Sequence, residues 1–343
     1  MMTTSTKWPC VAAIGVGLAA ALLVPQMAET HTLLNATIYT SLAIYALSMA
    51  LIWGYGGILC FGQAAFFGLG AYAYAVAGIN FGDSTFALPA AVLVPALFAA
   101  VLGYFVFYGR LTDVYFSVIT LTVTLILYKL ANSTAGEAYR IGEARLGGFN
   151  GMPDTPPLNL PFDPAQPLTP AQGFAVTIAA LVACYVLCKW ILSTPYGRAI
   201  VAVRENEVRA ELLGHDARFI KLTVFVIGAA IAGLSGMLFA TSVFVSPTVF
   251  SLANAAQVLI WVVVGGIGTL VGPILACGLL QALSAYLGKI GFIDPAVMLG
   301  LVLIGSVLLA PKGLLPMACG GFTQAKRRLR NARSAGLERS HAS

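Results

Sequence analysis

The chain has 343 residues, of which 9% are charged and 59% hydrophobic, and it carries a formal net charge of +6. A soluble globular domain carries roughly 25% charged residues, so this composition excludes a soluble enzyme or binding domain of this length. We therefore predict an all-α, polytopic integral membrane protein. Its transmembrane domain should cover residues 1–322, and a basic tail should cover residues 323–343.

Apolar blocks long enough to cross a membrane recur along the whole chain, since one span needs about 20 such residues. The first block could instead be a signal peptide, because Lys7 precedes a short apolar run. No cleavage site of small residues follows at 25–29, which favours a retained span. In chain order, the predicted blocks are 10–24, 33–53, 58–78, 86–108, 114–130, 173–192, 222–245, 252–287 and 292–310.

Basic residues concentrate in the segment 194–221 and in the tail, which predicts that both are cytoplasmic. An even number of crossings must then separate them, so the block 252–287 should cross twice. Glycine is flexible and proline cannot continue a helical hydrogen-bond ladder, so the break should lie where these residues cluster. The result is about ten spans with both termini cytoplasmic, and the predicted break residues are Gly265, Gly266, Gly268, Gly272 and Pro273.

The predicted spans contain no ionisable residue near their centres, whereas ion-coupled transporters usually need one. The chain also has no G-x-x-x-x-G-K-[ST] phosphate loop, no metal-ligand cluster and no catalytic constellation. We therefore expect no enzyme activity, no bound cofactor and no metal, so that another subunit must power any uphill transport. The polar span residues Asn35, Gln63 and Gln257 are candidates either for lining a pathway or for hydrogen bonding between helices.

The charged segment contains a predicted short helix from Arg204 to Leu213. Glu205 and Arg209 form a favourable i, i+4 pair, and Gly214 supplies a helix stop. Val208 and Leu212 should share one apolar face. This pattern is typical of a rigid docking helix, but it also fits a solvated interfacial helix that only connects two spans.

The segment 202–214, AVRENEVRAELLG, resembles the coupling loop of LivM-type permeases, the membrane subunits of ABC importers for branched-chain or other hydrophobic amino acids and amides. Similar family patterns occur in order at 54–72, 114–121, 147–151, 263–273 and 311–315, so the resemblance extends from about residue 45 to 316. One departure is Gln63, which ends Cys-Phe-Gly-Gln where the family usually has Ser-Leu-Gly-His.

The resemblance implies a subunit of the bacterial plasma (inner) membrane that works with a second related permease, two cytoplasmic ABC ATPases and an extracytoplasmic substrate-binding protein. ATP and magnesium would be used by the ATPases, and no nucleic acid is involved. The proline-rich segment 132–171 would be an extracytoplasmic loop, stiff and irregular, that meets the binding protein or caps the pore. The implied ATPase-coupling residues are Arg204, Glu205, Glu207, Val208, Arg209, Glu211, Leu212 and Gly214.

The implied substrate is a branched-chain or hydrophobic amino acid, and the residues leave open an alternative importer for urea or short amides. The absence of charges within the spans also leaves open a stand-alone channel or facilitator, or a structural subunit without a transport path. Co-purification with a second permease and ATPases would separate the importer from these rivals.

Overall fold

The computed structural model describes residues 14–21, 24–25, 29–109, 111–136, 138–153, 155–160, 163–290, 297, 300–302 and 304–305. Most of the predicted last span, 292–310, and the whole basic tail, 323–343, lie outside the described residues. Of the predicted first span, 10–24, the segment 14–21 is helical.

Apolar helices dominate the described part of the chain. Seven of them are long and apolar enough to cross a membrane, and α9 is a shorter apolar helix. The all-α, polytopic prediction is therefore confirmed. The helices are α1 Thr30–Met49, which continues into a π-helical turn Ala50–Tyr55, α2 Gln63–Phe81, α3 Ser84–Tyr108, α4 Asp113–Ser133, α5 Pro170–Ser193, α6 Pro195–Glu205, α7 Glu207–Leu212, α8 Ala217–Ala240, α9 Leu252–Gly265 and α10 Val271–Ile290.

Polar side chains fix where several of these helices begin. The first backbone N–H groups of a helix have no partner within it, and short polar side chains accept from them. Asp83 caps α3, Thr169 caps α5 in a reciprocal capping box with its Gln172, and Asp216 caps α8. In α3, α5 and α8, apolar length thus sets the body of the span, and the cap sets its first residue.

The connections between helices gather at two ends of the molecule. At one end, Ser117 of α4 donates to the carbonyl of Leu59 at 2.7 Å, and Arg204 donates to that of Gly54 at 2.5 Å. We call this the coupling end; it contains residues 54–62, 111–112, 194–216 and 266–270. At the other end, which contains residues 82–83, 134–169 and 241–251, Met152 donates to the carbonyl of Val245 at 2.8 Å. We call it the loop end.

Successive connections alternate between the two ends of the molecule, as the distribution of positive charges predicts. The segment 194–221 and the break near 266 accordingly lie at the same end. The break itself lies between α9 and α10, where Gly266 and Gly268 have φ of 109° and 89°. Gly272 and Pro273 belong to the first turn of α10, where proline is tolerated because the N–H it lacks would have no helical partner. That the coupling end is cytoplasmic stays a prediction.

The core is built around α8, which packs against α1, α2 and α3. The approach is close enough that a β-carbon at Gly70 would overlap the backbone of Gly233, and one at Gly236 would overlap the carbonyl of Phe67. Small residues at such positions allow membrane helices to pack backbone to backbone. Helices α2 and α8 therefore pack backbone to backbone at the centre of this core.

The described residues of the loop between α4 and α5 are not helical apart from a single 3₁₀ turn, Gly148–Asn150, but they are less irregular than the prolines suggest. Two short antiparallel hairpins form within it. The first pairs β1 Arg140–Ile141 with β2 Ala144–Arg145, and the second pairs β3 Asn159–Leu160 with β4 Asp163–Pro167. Proline is tolerated in an edge strand, and both strands of a two-stranded hairpin are edges.

Candidate coupling site

The segment that connects α5 to α8 folds as two short helices, α6 and α7. Thr194 begins α6 by accepting from the backbone N–H of Gly197 at 3.2 Å. The buried side of α6 carries Ala199, Ile200 and Val203, which pack into the core. One face of α6 is thus fixed to the membrane domain, so α7 extends from a supported base.

The predicted continuous helix from Arg204 to Leu213 is wrong, because the chain breaks at Asn206. This residue has an extended backbone with φ −160° and ψ 103°, and its side chain accepts from the N–H of Arg209 at 2.9 Å. Asparagine competes for backbone donors in this way and favours caps over helix interiors. The polar run around it offers no buried side chain that would hold a continuous helix straight.

The helix stop predicted at Gly214 is present. Gly214 has φ of 87°, a left-handed conformation that suits glycine, and its N–H donates to the carbonyl of Glu211 at 2.9 Å. The N–H of His215 donates to the carbonyl of Ala210 at 3.1 Å, which satisfies the carbonyl end of α7. Helix α7 is therefore closed at both ends by defined caps.

The predicted apolar face of α7 points outward. Val208, Leu212 and Leu213 are 67%, 82% and 77% exposed, whereas Ala210 on the opposite side is buried. We call these three exposed residues the apolar knob. An isolated exposed leucine is ordinary, but three on a capped turn surrounded by charged residues indicate a contact surface.

The ion pairs of the segment differ from the predicted i, i+4 pair of Glu205 and Arg209. Glu205 pairs with Arg204 at 2.5 Å, and Glu207 pairs with Lys221 of α8 at 2.6 Å. The break at Asn206 removes the continuous helix that the predicted pair required. The Glu207–Lys221 pair instead ties α7 to the first turns of α8, a role that the sequence spacing of 14 residues did not indicate.

An open cavity of about 470 Å³ lies beside α7 at the coupling end. Its walls combine the coupling-end residues Leu111 and Thr112, between α3 and α4, with Glu207, Val208 and Lys221. Of the residues predicted for coupling, Glu207, Val208 and Glu211 therefore line a cleft between helices. The exposed charges of α7 are Arg209 and Glu211, which flank the knob.

The three candidate pathway residues do not come together. Gln63 is fully buried, and its Nε2 donates to Oγ of Ser48 at 2.9 Å and to the carbonyl of Gly228 at 3.3 Å, so it links α1, α2 and α8. Asn35 is hydrogen-bonded at 3.3 Å to His31, one turn earlier on its own helix. Gln257 is half-buried on α9. Their role in a pathway stays a prediction.

Sequence reasoning missed three residues of this site, namely Asn206, Gly54 and Gly57, the last of which lies against the side chain of Arg204. Asn206 precedes a glutamate and an apolar residue, which is a recognisable helix-start signal. Gly54 and Gly57 were visible as a glycine cluster, but no local signal connects them to a residue 150 positions away. Within the described part of the chain, no three His, Cys, Asp or Glu residues come together as a metal site.

In the described part of the chain, seven apolar helices of spanning length, joined in the middle by a charged two-helix segment with an outward apolar knob, define the class as a multi-pass membrane protein. The sequence family described as branched-chain amino acid transport system, permease component, matches residues 32–310. The chain belongs to this family of permeases, and it is accordingly a LivM-type permease subunit of an ABC importer.

The curated relatives agree with this assignment. The chain is 32% identical over 314 residues to the high-affinity branched-chain amino acid transport system permease protein LivM of Escherichia coli strain K12, covering 85% of this chain and 72% of that protein. The LivM protein of Salmonella typhimurium is 31% identical with the same coverage. A probable LivM of Methanocaldococcus jannaschii is 34% identical over 84 residues, which is 24% of this chain and 22% of that protein. No solved structure shows a significant match.

Proposed function

We propose that this chain is the permease of an ATP-driven importer that moves branched-chain or other hydrophobic amino acids into the cytoplasm. The observation that carries the proposal is the apolar knob, which stands outward on the capped helix α7 while α6 is fixed into the membrane core. A loop that only connects two spans has no need for a supported, outward apolar surface. A subunit that must receive motion from a partner does.

In this proposal the coupling end faces the cytoplasm, and both termini of the chain lie on that side. Two ATPases bind and hydrolyse ATP with magnesium, and closure of one of them presses on α7. The apolar knob fills a slot on the ATPase, while Arg209 and Glu211 make charged contacts at its rim. A second related permease completes the membrane part, and helix motions of the kind known from transporters open the path.

The loop end would receive substrate from a soluble binding protein on the outer side. Its support is mechanical: the loop is held to the membrane helices by Asn80, which donates to the carbonyl of Ile141 at 2.9 Å, and by Tyr74, which donates to that of Pro156 at 3.1 Å. A fixed platform suits docking of a separate protein. The proposed substrate is supported by the names of the two LivM relatives, which are described as branched-chain amino acid transport proteins.

Reconstitution tests the proposal directly. The chain, its partner permease, the ATPases and the binding protein are purified into liposomes, and uptake of radiolabelled leucine and of urea is measured with and without ATP. We expect leucine uptake that requires ATP and all four kinds of component. Uptake of urea instead would favour the amide importer, and uptake by the chain alone without ATP would establish a facilitator.

A further inference from the structure

The side chain of Arg204 points toward the backbone at the end of α1. Its Nη1 donates to the carbonyl of Gly54 at 2.5 Å, across 150 residues of sequence, and only about a third of its side chain is exposed, at 32%. The other edge of the guanidinium group pairs with Glu205. Arg204 is therefore held on both sides, which the five fixed donors of arginine allow.

The carbonyl that Arg204 binds lies at the end of a helix. Gly54 belongs to the π-helical turn that ends α1, and the last carbonyls of a helix have no partner within it. These carbonyls carry the negative end of the helix dipole, so a cation there is favourable. Arg204 thus caps α1 from a distant part of the chain, through a charge-assisted hydrogen bond.

The chain makes room for this contact with a glycine. Gly57 has φ of 72°, and a β-carbon on it would lie 2.6 Å from Cγ of Arg204. Any other residue at position 57 would therefore be strained in its backbone and would also press on the arginine. The turn after α1 is shaped around the Arg204 side chain.

The break between α9 and α10 meets the same point. A β-carbon on Gly54 would lie 3.0 Å from the backbone nitrogen of Gly268, so the two glycine segments are in direct contact. A β-carbon on Gly268 would lie 3.8 Å from Nη1 of Arg204 and 3.8 Å from the carbonyl oxygen of Gly54. The ends of α1, α6 and α9 therefore converge on one guanidinium group.

We propose that Arg204 is a positioning residue that transmits displacement of α6 and α7 to the π-helical end of α1 and, through it, to the break between α9 and α10. This inference rests on the proposed function, because it assigns a route by which ATPase motion reaches the spans. It reassigns Arg204 from the ATPase surface, where the sequence placed it, to an internal link. In this route Arg204 bonds to the end of α1, and Gly54 in turn contacts the backbone of Gly268 at the break.

The functional test uses the complete reconstituted transporter and measures leucine taken up per ATP hydrolysed. Arg204→Met keeps the length and apolar stem of the side chain but loses every donor, and Arg204→Lys restores one charged donor. We expect Arg204→Met to leave ATPase co-purification and ATP hydrolysis intact while uptake per ATP falls at least tenfold, and Arg204→Lys to recover part of it. Unchanged uptake per ATP would overturn the link. Loss of ATPase co-purification would overturn it too, by returning Arg204 to the docking surface.

A second test is independent of transport. The full chain is purified with Gly57→Ala, Arg204→Ala or both, and its melting temperature is measured. Alanine at position 57 presses on the Arg204 side chain. Gly57→Ala should therefore lower the melting temperature less in the Arg204→Ala chain than in the wild-type chain. Gly82→Ala is the matched control, because Gly82 has a similar φ of 69° but nothing within 4 Å of an added β-carbon. Gly82→Ala should lower the melting temperature by the same amount in the wild-type chain and in the Arg204→Ala chain.

Additive effects of Gly57→Ala and Arg204→Ala on the melting temperature would refute the contact itself. The two experiments also separate the inference from the proposed function. If the wild-type chain assembles with no ATPase, the proposed function fails, and the melting experiment still decides whether Arg204 fills the space beside Gly57.

Discussion

The two ends of this permease are built differently. At the loop end, a long connection is folded into hairpins and held to the helices by several separate hydrogen bonds, from Tyr74, Asn80 and the backbone of Met152. At the coupling end, two short helices depend on the core face of α6 and on two basic side chains, Arg204 and Lys221. Contacts that are many and dispersed make a platform, whereas contacts that are few and specific can be changed by a partner.

The cavities at the two ends also differ, in the polarity of their walls. The cavity at the coupling end, of about 470 Å³, has charged walls from Glu207, Arg218 and Lys221. A cavity of about 790 Å³ lies toward the loop end among α2, α3 and α4, and its walls are almost wholly apolar. A charged cleft beside an exposed knob suits contact with a soluble partner, while an apolar gap between spans suits the interior of a membrane. The two ends are thus distinguished by the chemistry of their cavity walls.

The largest effect should come from the apolar knob. We expect Val208→Glu with Leu212→Glu to abolish ATPase co-purification and to reduce ATP-driven leucine uptake to background, because burying carboxylates in an apolar slot is costly. Leu212→Met, which keeps an apolar side chain, is the control and should retain most uptake. Normal ATPase binding by the double variant would show that the knob is not the docking surface.

The two ends can be compared through matched helix caps. Asn206→Ala and Thr169→Ala each remove a capping side chain, and each should cost about 1 kcal/mol of local stability. We expect Asn206→Ala to let α6 and α7 merge, which would reorient the knob and lower leucine uptake about tenfold. Thr169 caps α5 at the loop end, and Thr169→Ala should leave leucine uptake within twofold of the wild-type value. Equal losses would mean that the two ends are equally sensitive.

A smaller effect is expected from the pair between Glu207 and Lys221. Glu207→Gln keeps the size of the side chain and removes its charge, and pairs of this exposure contribute less than about 1 kcal/mol. Leucine uptake should therefore fall by roughly two- to fivefold, with α7 less firmly held to α8. Leucine uptake is measured in the reconstituted transporter, and the attachment of α7 is measured by its hydrogen exchange in the purified complex. Unchanged exchange would show that the pair does not restrain the helix.

The smallest effect should be a dependence on pH at the loop end. The side-chain amide of Asn159 and the N–H of Thr85 donate to Asp83, and these bonds hold the pKa of its carboxyl below the ordinary value. A lowered pKa means that the ionised carboxylate stabilises the fold above its ordinary pKa of about 3.9, and that this contribution is lost as pH falls further. The melting temperature of wild type should drop more steeply below pH 4 than that of Asp83→Asn. Parallel curves would contradict the assignment.

The spans and their breaks could be predicted from the sequence because they depend on local properties. Apolar length located α1 to α5 and α8, and the glycine cluster located the interruption between α9 and α10. Gly214 was equally readable as a helix stop. Each of these features is decided by the residue itself and its immediate neighbours.

The features that escaped prediction depend on contacts between distant parts of the chain or on very short elements. Strands of two residues, such as Arg140–Ile141, are too short to show an alternating pattern. The break at Asn206 depends on one side-chain hydrogen bond, to the N–H of Arg209, which competes with continuation of the helix. The inward direction of Arg204 could not be read from a charged segment, where an exposed arginine is the ordinary expectation.

The π-helical turn Ala50–Tyr55 determines the direction in which the carbonyl of Gly54 faces. A π-helical turn accommodates an additional residue compared with an α-helical one, and neighbouring residues of an α-helix differ by about 100° around the axis. The wider turn spans about the same rotation with one residue more, so the same residues wound as an α-helix would turn the carbonyl of Gly54 by up to about 100° relative to the start of α1. Closure of this turn into an α-helix would therefore move the carbonyl of Gly54 away from Arg204 without changing any amino acid. The winding of this turn, and not a side chain within it, thus determines whether the coupling segment is bonded to the first span.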